Sequence, residues 1–184
     1  MGLDILAISR INFDSINEEA ELDTESRDDD GSEQSSIYLM KNDILFEQSD
    51  GIDEGNYRYD GTFDSFGAGS YSGYNRWREK LAFLAGWDIS DLHEAAIKTL
   101  SRNESLNEVL DQDDSAKVEI PFVELIMFSD CEGFIGPKTS AKLFKDFSDH
   151  LEDAKEIGDG FFYLYEHFMN AFDLASDDGC VVFC

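Results

Sequence analysis

Between residues 137 and 175 apolar side chains recur every three or four positions, and this run constrains the fold more than any other part of the chain. Leu143, Phe144, Phe147, Leu151 and Ala154 form one stripe. Pro137 opens it, and proline suits a first helical turn because the missing N–H would have no partner there. Gly158-Asp159-Gly160 interrupts the pattern. A second stripe then runs through Phe161, Leu164, Tyr165, Phe168 and Phe172, predicting a helix over 161–175. Two amphipathic helices need an apolar surface to cover. The two ends of the chain offer one: residues 2–9 are short, apolar and β-branched, and Asp177-Asp178-Gly179 turns the chain into a final strand over 180–184.

The middle is read the same way. Residues 37–40 and 43–48 are expected to be two strands joined around Lys41-Asn42. Residues 49–64 read as an acidic loop punctuated by Gly51, Gly55 and Gly61. From Tyr74 the period becomes helical, with Trp77, Leu81, Leu84 and Ala85 on one face and Gly86 as terminator. Ser90 is placed to cap a further helix carrying Leu92, Ala96 and Leu100. Residues 118–128 give the strongest strand signal, with Pro121 marking an edge or a bulge. Strands at both ends and in the middle, with helices grouped between them, predict an α+β fold. The expectation is a small mixed or antiparallel sheet, about four packed helices and a single domain over 1–184. With 42% hydrophobic residues and 15 Phe, a core is well supplied. The terminal strands, read as sheet edges, are expected to pair between copies and give a homo-oligomer.

Charge narrows the partners. The formal net charge is -27, from 41 acids against 14 bases. Residues 1–65 hold 18 acids and 4 bases, and segments 17–36 and 103–117 read as acidic surface insertions. Such a surface excludes direct nucleic-acid binding and binding to anionic membranes, and it suits a basic protein partner or mimicry of a polyanion. No apolar run approaches the roughly 18 residues of a membrane helix. The first ten residues are too short and too acidic for a signal peptide. Cys131, Cys180 and Cys184 are odd in number and widely spaced, which argues against a disulfide framework or zinc knuckle and points to the reducing cytosol of the producing or infected cell. His93, His150 and His167 lie outside metal-ligand spacing, so no histidine-based metal site is expected, and no cofactor is expected.

One compact basic-aromatic cluster stands out against this acidity. Residues 66–78 read Phe-Gly-Ala-Gly-Ser-Tyr-Ser-Gly-Tyr-Asn-Arg-Trp-Arg. As a glycine-rich loop before a helix, they would let backbone approach a ligand and present free N–H groups to an anion. Ser70, Ser72 and Asn75 would donate hydrogen bonds, Arg76 and Arg78 would add charge, and Tyr71, Tyr74 and Trp77 would offer stacking faces. The spacing matches neither the dinucleotide fingerprint nor a Walker A loop. A second candidate spans 128–140, where a strand is expected to end and a helix to begin with Lys138 and Thr139 in its first turn. Ser129, Asp130 and Glu132 cluster there as ligand contacts, and the two acids are also placed to neutralise Arg76 or Arg78 or to hold a hard cation. Only two residues separate Gly133 from Gly136, and Pro137 intervenes before the lysine, so a P-loop is rejected. Carboxylates on both sides of Cys131 blunt its thiolate, which leaves it a small apolar residue rather than a nucleophile.

Through the motifs at residues 2–5, 68–78, 121–137 and 171–183, the chain resembles a family of uncharacterised bacterial and phage proteins, a resemblance that spans about two-thirds of its length. The resemblance implies a shared site at these motifs and leaves segments 17–36 and 103–117 as insertions. It also implies a phage-type setting, in which a protein that sequesters a host signalling nucleotide would blunt host defence. The leading expectation is therefore a non-catalytic binder of a small anionic or nucleotide-like ligand, since no nucleophile–base pair is visible. The alternatives are a polyanion mimic that inhibits a basic protein, and a hydrolase using Asp130 or Glu132 as general base.

Overall fold

The computed structural model describes residues 2–13, 35–42, 45–87, 121–128 and 133–184. The helix expected after Ser90, the segment 103–117 and nearly all of the segment 17–36 lie outside the described residues, as do Ser129, Asp130, Cys131 and Glu132. The fold is α+β. A four-stranded antiparallel sheet holds β1 (Gly2–Ile8), β5 (Phe63–Ser70), β6 (Gly133–Ile135) and β7 (Cys180–Phe183) in the order β5-β1-β7-β6. A three-stranded antiparallel sheet holds β2 (Ile11–Asn12), β3 (Ser35–Leu39) and β4 (Gly55–Tyr59) in the order β2-β4-β3. The described helices are α1 (Tyr71–Leu84), α2 (Val123–Met127), α3 (Pro137–Asp149), α4 (Leu151–Ile157) and α5 (Asp159–Ala175), with a 3-10 turn at Phe46–Ser49.

Within the larger sheet β6 and β7 are buried throughout while β5 is mostly exposed, and the side chains of β1 and β7 divide with the period of two that a pleated strand imposes. Leu3, Ile5 and Ala7 of β1, with Val181 and Phe183 of β7, point into the main core beneath the helices. Ile8, Cys180, Val182 and Phe134 point the other way, against Ile11, Leu39 and Tyr57 of the smaller sheet. The near-continuous apolar runs at the two ends of the chain thus serve two cores at once. This overturns the reading of the terminal strands as edges. β1 and β7 are the two inner strands, while the edges belong to β5 and β6. The argument for pairing between copies through the termini falls with it.

Both helical stripes fold as their spacing requires. Leu143, Phe147 and Ala154 are fully buried, as are Tyr165, Phe168 and Phe172 of α5. The first stripe is divided at His150, which ends α3 and precedes α4. Gly158, at φ +115, makes the break before α5, which begins at Asp159.

Three expectations in the middle are corrected. The partner of β3 is β4, inside the stretch read as an acidic loop, and the residues described within 43–48 form the 3-10 turn rather than a strand. Asn42 Oδ1 accepts the Leu45 N–H at 3.0 Å, a local bond that competes with a strand ladder. Within 118–128, Phe122 adopts φ +60 and residues 123–127 are helical. The buried residues there are Phe122, Val123, Leu125, Ile126 and Phe128, a spacing of three and four rather than two. Finally, the glycine-rich stretch 67–73 is not a loop: residues 67–70 end β5, and α1 starts at Tyr71 rather than Tyr74.

Tyr165 ties α5 to α3. Its hydroxyl donates to the Phe147 carbonyl at 2.6 Å in the core. Burial raises its ionisation well above the ordinary 10.0, and the charges of Asp146 and Asp153 push the same way. Burial raises Tyr57 as well, helped by Asp53. The folded state therefore keeps protons that the unfolded chain releases above about pH 10, so stability holds below that pH and falls above it. Alkaline denaturation followed by circular dichroism should show a Tyr165→Phe variant losing stability less steeply with pH than the parent.

Candidate functional site

Where α1 meets the rest of the fold, the basic-aromatic cluster turns inward. Ser70, in extended conformation, caps the helix: its Oγ accepts the Gly73 N–H at 3.2 Å and lies 3.3 Å from Ser72 Oγ. Tyr74, Trp77, Arg78 and Leu81 then fall on the buried face. The Tyr74 hydroxyl donates to the Phe128 carbonyl at 3.1 Å. The Arg78 guanidinium donates to the Ile126 carbonyl and, at 2.5 Å, to Asn75 Oδ1, and it lies over the Tyr74 ring at 5.3 Å. One turn apart on α1, these two side chains satisfy carbonyls at the C-terminal end of α2, where helical carbonyls lack partners. Trp77 stacks on Phe168 and Phe161 with ring centres at 4.8 and 5.6 Å, and its indole N–H donates to the Phe161 carbonyl at 3.1 Å.

The expected ligand groups therefore separate. Tyr74, Trp77 and Arg78 face the core. Tyr71 is half-buried against it, and Asn75 is half-buried beside Arg78. Ser70, Ser72 and Arg76 are exposed.

The helix start at Pro137 is also filled from within. Its cap residue, Gly136, has no side chain to offer. Asp50, from the end of the 3-10 turn, supplies the carboxylate: it accepts the Lys138 and Thr139 backbone N–H groups at 2.7 and 3.0 Å and the Thr139 hydroxyl at 2.8 Å. The Gly136 N–H in turn donates to the Gln48 carbonyl at 2.8 Å, fixing the 3-10 turn against the helix. A Cβ at Gly136 would come within 2.7 Å of the Asp50 carboxylate, so glycine is what permits the approach. This helix start thus carries a carboxylate from the protein's own chain. Sequence reasoning missed Asp50 because it lies 88 positions from Lys138. Asp50→Ala is expected to cost about 1–2 kcal/mol through loss of the cap, with Asp50→Asn costing less, as urea denaturation would measure.

Away from these helix starts, the described surface includes a cleft of about 640 Å³, lined by Glu79, Lys80, Phe83 and Leu84 of α1 and by Asp153, Glu156 and Ile157 of α4. Sequence reading gave Leu84 to the helix interior and left Phe83 unassigned. Phe83 is 77% exposed, more than any other large apolar side chain among the described residues. Among the described residues, no three or more His, Cys, Asp or Glu gather closely enough to hold a metal. None of the described helices is long and apolar enough to cross a membrane.

Comparison with protein-family models, with curated proteins and with solved structures found no match. The fold and this surface define an acidic α+β protein, and its functional reading rests on the chemistry of its own residues.

Proposed function

We propose that this chain is a non-catalytic acidic protein that binds a basic protein partner, acting as a polyanion mimic in the reducing cytosol of the producing or infected cell. The observation that carries this reading is where the cationic groups go. Arg78 is spent on the core, while Arg10, Lys41, Lys142, Lys145 and Lys155 pair with the protein's own carboxylates. What is left facing outward is mainly acid, and the segments 14–34 and 88–120 add 19 acids against 4 bases to the sequence. A surface of this sign attracts cationic proteins over a distance set by salt.

The test is competition. An arginine-rich peptide bound to duplex DNA should be released by this protein at lower concentration than by polyglutamate of equal charge. Release should weaken as salt rises and when the acids between residues 18 and 33 are neutralised, but not in Arg76→Ala. Performance no better than polyglutamate defeats the reading.

The small-anion reading keeps one support. Arg78 Nε is buried and makes no hydrogen bond to a described residue, and Arg76 is exposed two residues away. A nucleotide that raised the melting temperature of the parent but not of Arg76→Ala would favour it over the mimic.

A further inference from the structure

We propose that the cleft between the end of α1 and α4 is the docking groove for the basic partner, and that it takes a lysine- or arginine-rich segment bearing an apolar anchor. This inference rests on the reading of the chain as a binder of a basic protein and specifies where the partner sits. Three observations converge on it. The cleft is large enough, at about 640 Å³, to receive several side chains. Its lining includes apolar Phe83, Leu84 and Ile157, of which Leu84 and Ile157 are half-buried and Phe83 stands 77% exposed in a chain that buries most of its phenylalanines. Its rim carries Glu79, Asp153 and Glu156 against the single Lys80, and none of the three acids is ion-paired with a described residue.

The geometry also carries a polarity. The last turn of α1 contains no basic residue, so the partial negative charge of its C-terminal end adds to the three carboxylates. An apolar surface bordered by carboxylates selects a segment of matching chemistry, a hydrophobic anchor flanked by cations, as amphipathic helices in grooves commonly present. Charge argues against a second copy of this chain as occupant, because a molecule of net charge -27 repels its like. It equally disfavours nucleic acid and anionic lipid.

A leucine–lysine amphipathic helical peptide serves as the probe, with the leucine–glutamate peptide of the same pattern as control, and binding is read by isothermal titration. The intact protein should bind the lysine peptide and ignore the glutamate one. Phe83→Ser, which leaves net charge unaltered at an exposed position, should weaken binding by about tenfold or more. Glu79→Gln/Asp153→Asn/Glu156→Gln should weaken it similarly, whereas Asp64→Asn/Glu166→Gln/Asp173→Asn, equal in charge, exposed and outside the cleft lining, should leave it within about twofold. Melting temperatures of all variants confirm that the fold is kept. If either groove variant binds like the parent, or the distant variant loses as much, the groove is overturned while a general acidic surface survives. If the parent ignores the lysine peptide altogether, both the groove and the basic-partner reading fall.

Discussion

Replacing Gly179 by alanine is expected to destabilise the protein by about 3 kcal/mol or more, out of proportion to the addition of one methyl group. Gly179 follows the turn between α5 and β7, and its backbone lies directly against the end of β1. A Cβ there would stand 1.9 Å from the Ile8 carbonyl oxygen and 2.9 Å from Ser9 Cα. Those are backbone atoms, so no side chain can swing aside. The same turn is bound on both sides: the Gly179 N–H donates to Ala175, while the Arg10 and Ile11 N–H groups donate to Asp177 and Asp178. Relieving the clash therefore means separating β1 from β7, the two strands that divide the cores. For a chain of this length, a loss of this size lowers the melting temperature by about 6–12 °C. A calorimetric scan in which Gly179→Ala melts within a degree of the parent would contradict the geometry. A Cβ at Gly61, on the other side of the same corner, would stand 2.0 Å from the Ser9 carbonyl oxygen, and its alanine variant should behave alike.

How much of this was legible in the sequence depended on whether a local period expressed the fold. The two stripes through Leu143 and Phe172 were readable because their spacing is the helix repeat itself. The terminal strands were readable as strands, yet nothing in residues 2–9 or 180–184 says which neighbours they take. Their apolar continuity, which suits a strand buried on both faces, was the available sign that they lie inside the sheet. Strand β4 was hidden by glycine and charge, although Tyr57 and Tyr59 already showed an alternation of two. The run 118–128 misled because a continuous apolar stretch fits a buried helix as well as a strand. Along α1 the sequence singled out the arginines and aromatic residues but did not give the direction in which they point. Arginine beside aromatic rings signals a ligand or a core, and only the placement of the α2 carbonyls decides between them. Asp50 had no local signature of its own. The bare Gly136-Pro137 start of α3 was the sign that a cap must come from elsewhere in the chain.

The second large effect is expected from Trp77→Ala, and it bears on how any functional assay of this motif is to be read. The indole is nine-tenths buried or more and stacks on Phe168, Phe161 and Tyr74, the last at 6.0 Å. Its N–H also ties α1 to the first turn of α5 through the Phe161 carbonyl. Truncation removes the stacked surface, leaves a void among rigid rings and deletes that tie, so the expected cost is about 3–5 kcal/mol. Urea denaturation should show a lowered midpoint with little change in slope. Trp77→Phe, which keeps most of the stack and loses the N–H, should cost markedly less. Arg78→Ala belongs to the same class, because it uncaps the α2 carbonyl that the guanidinium serves. Loss of binding in either variant would therefore follow from loss of fold and could not identify a ligand. Arg76 is the discriminating position: it is exposed on the same helix, and its alanine variant should melt within about 1–2 °C of the parent. A Trp77→Ala protein as stable as the parent would mean that the indole is not committed to the core, and would return the stacking face of this motif to the search for a ligand.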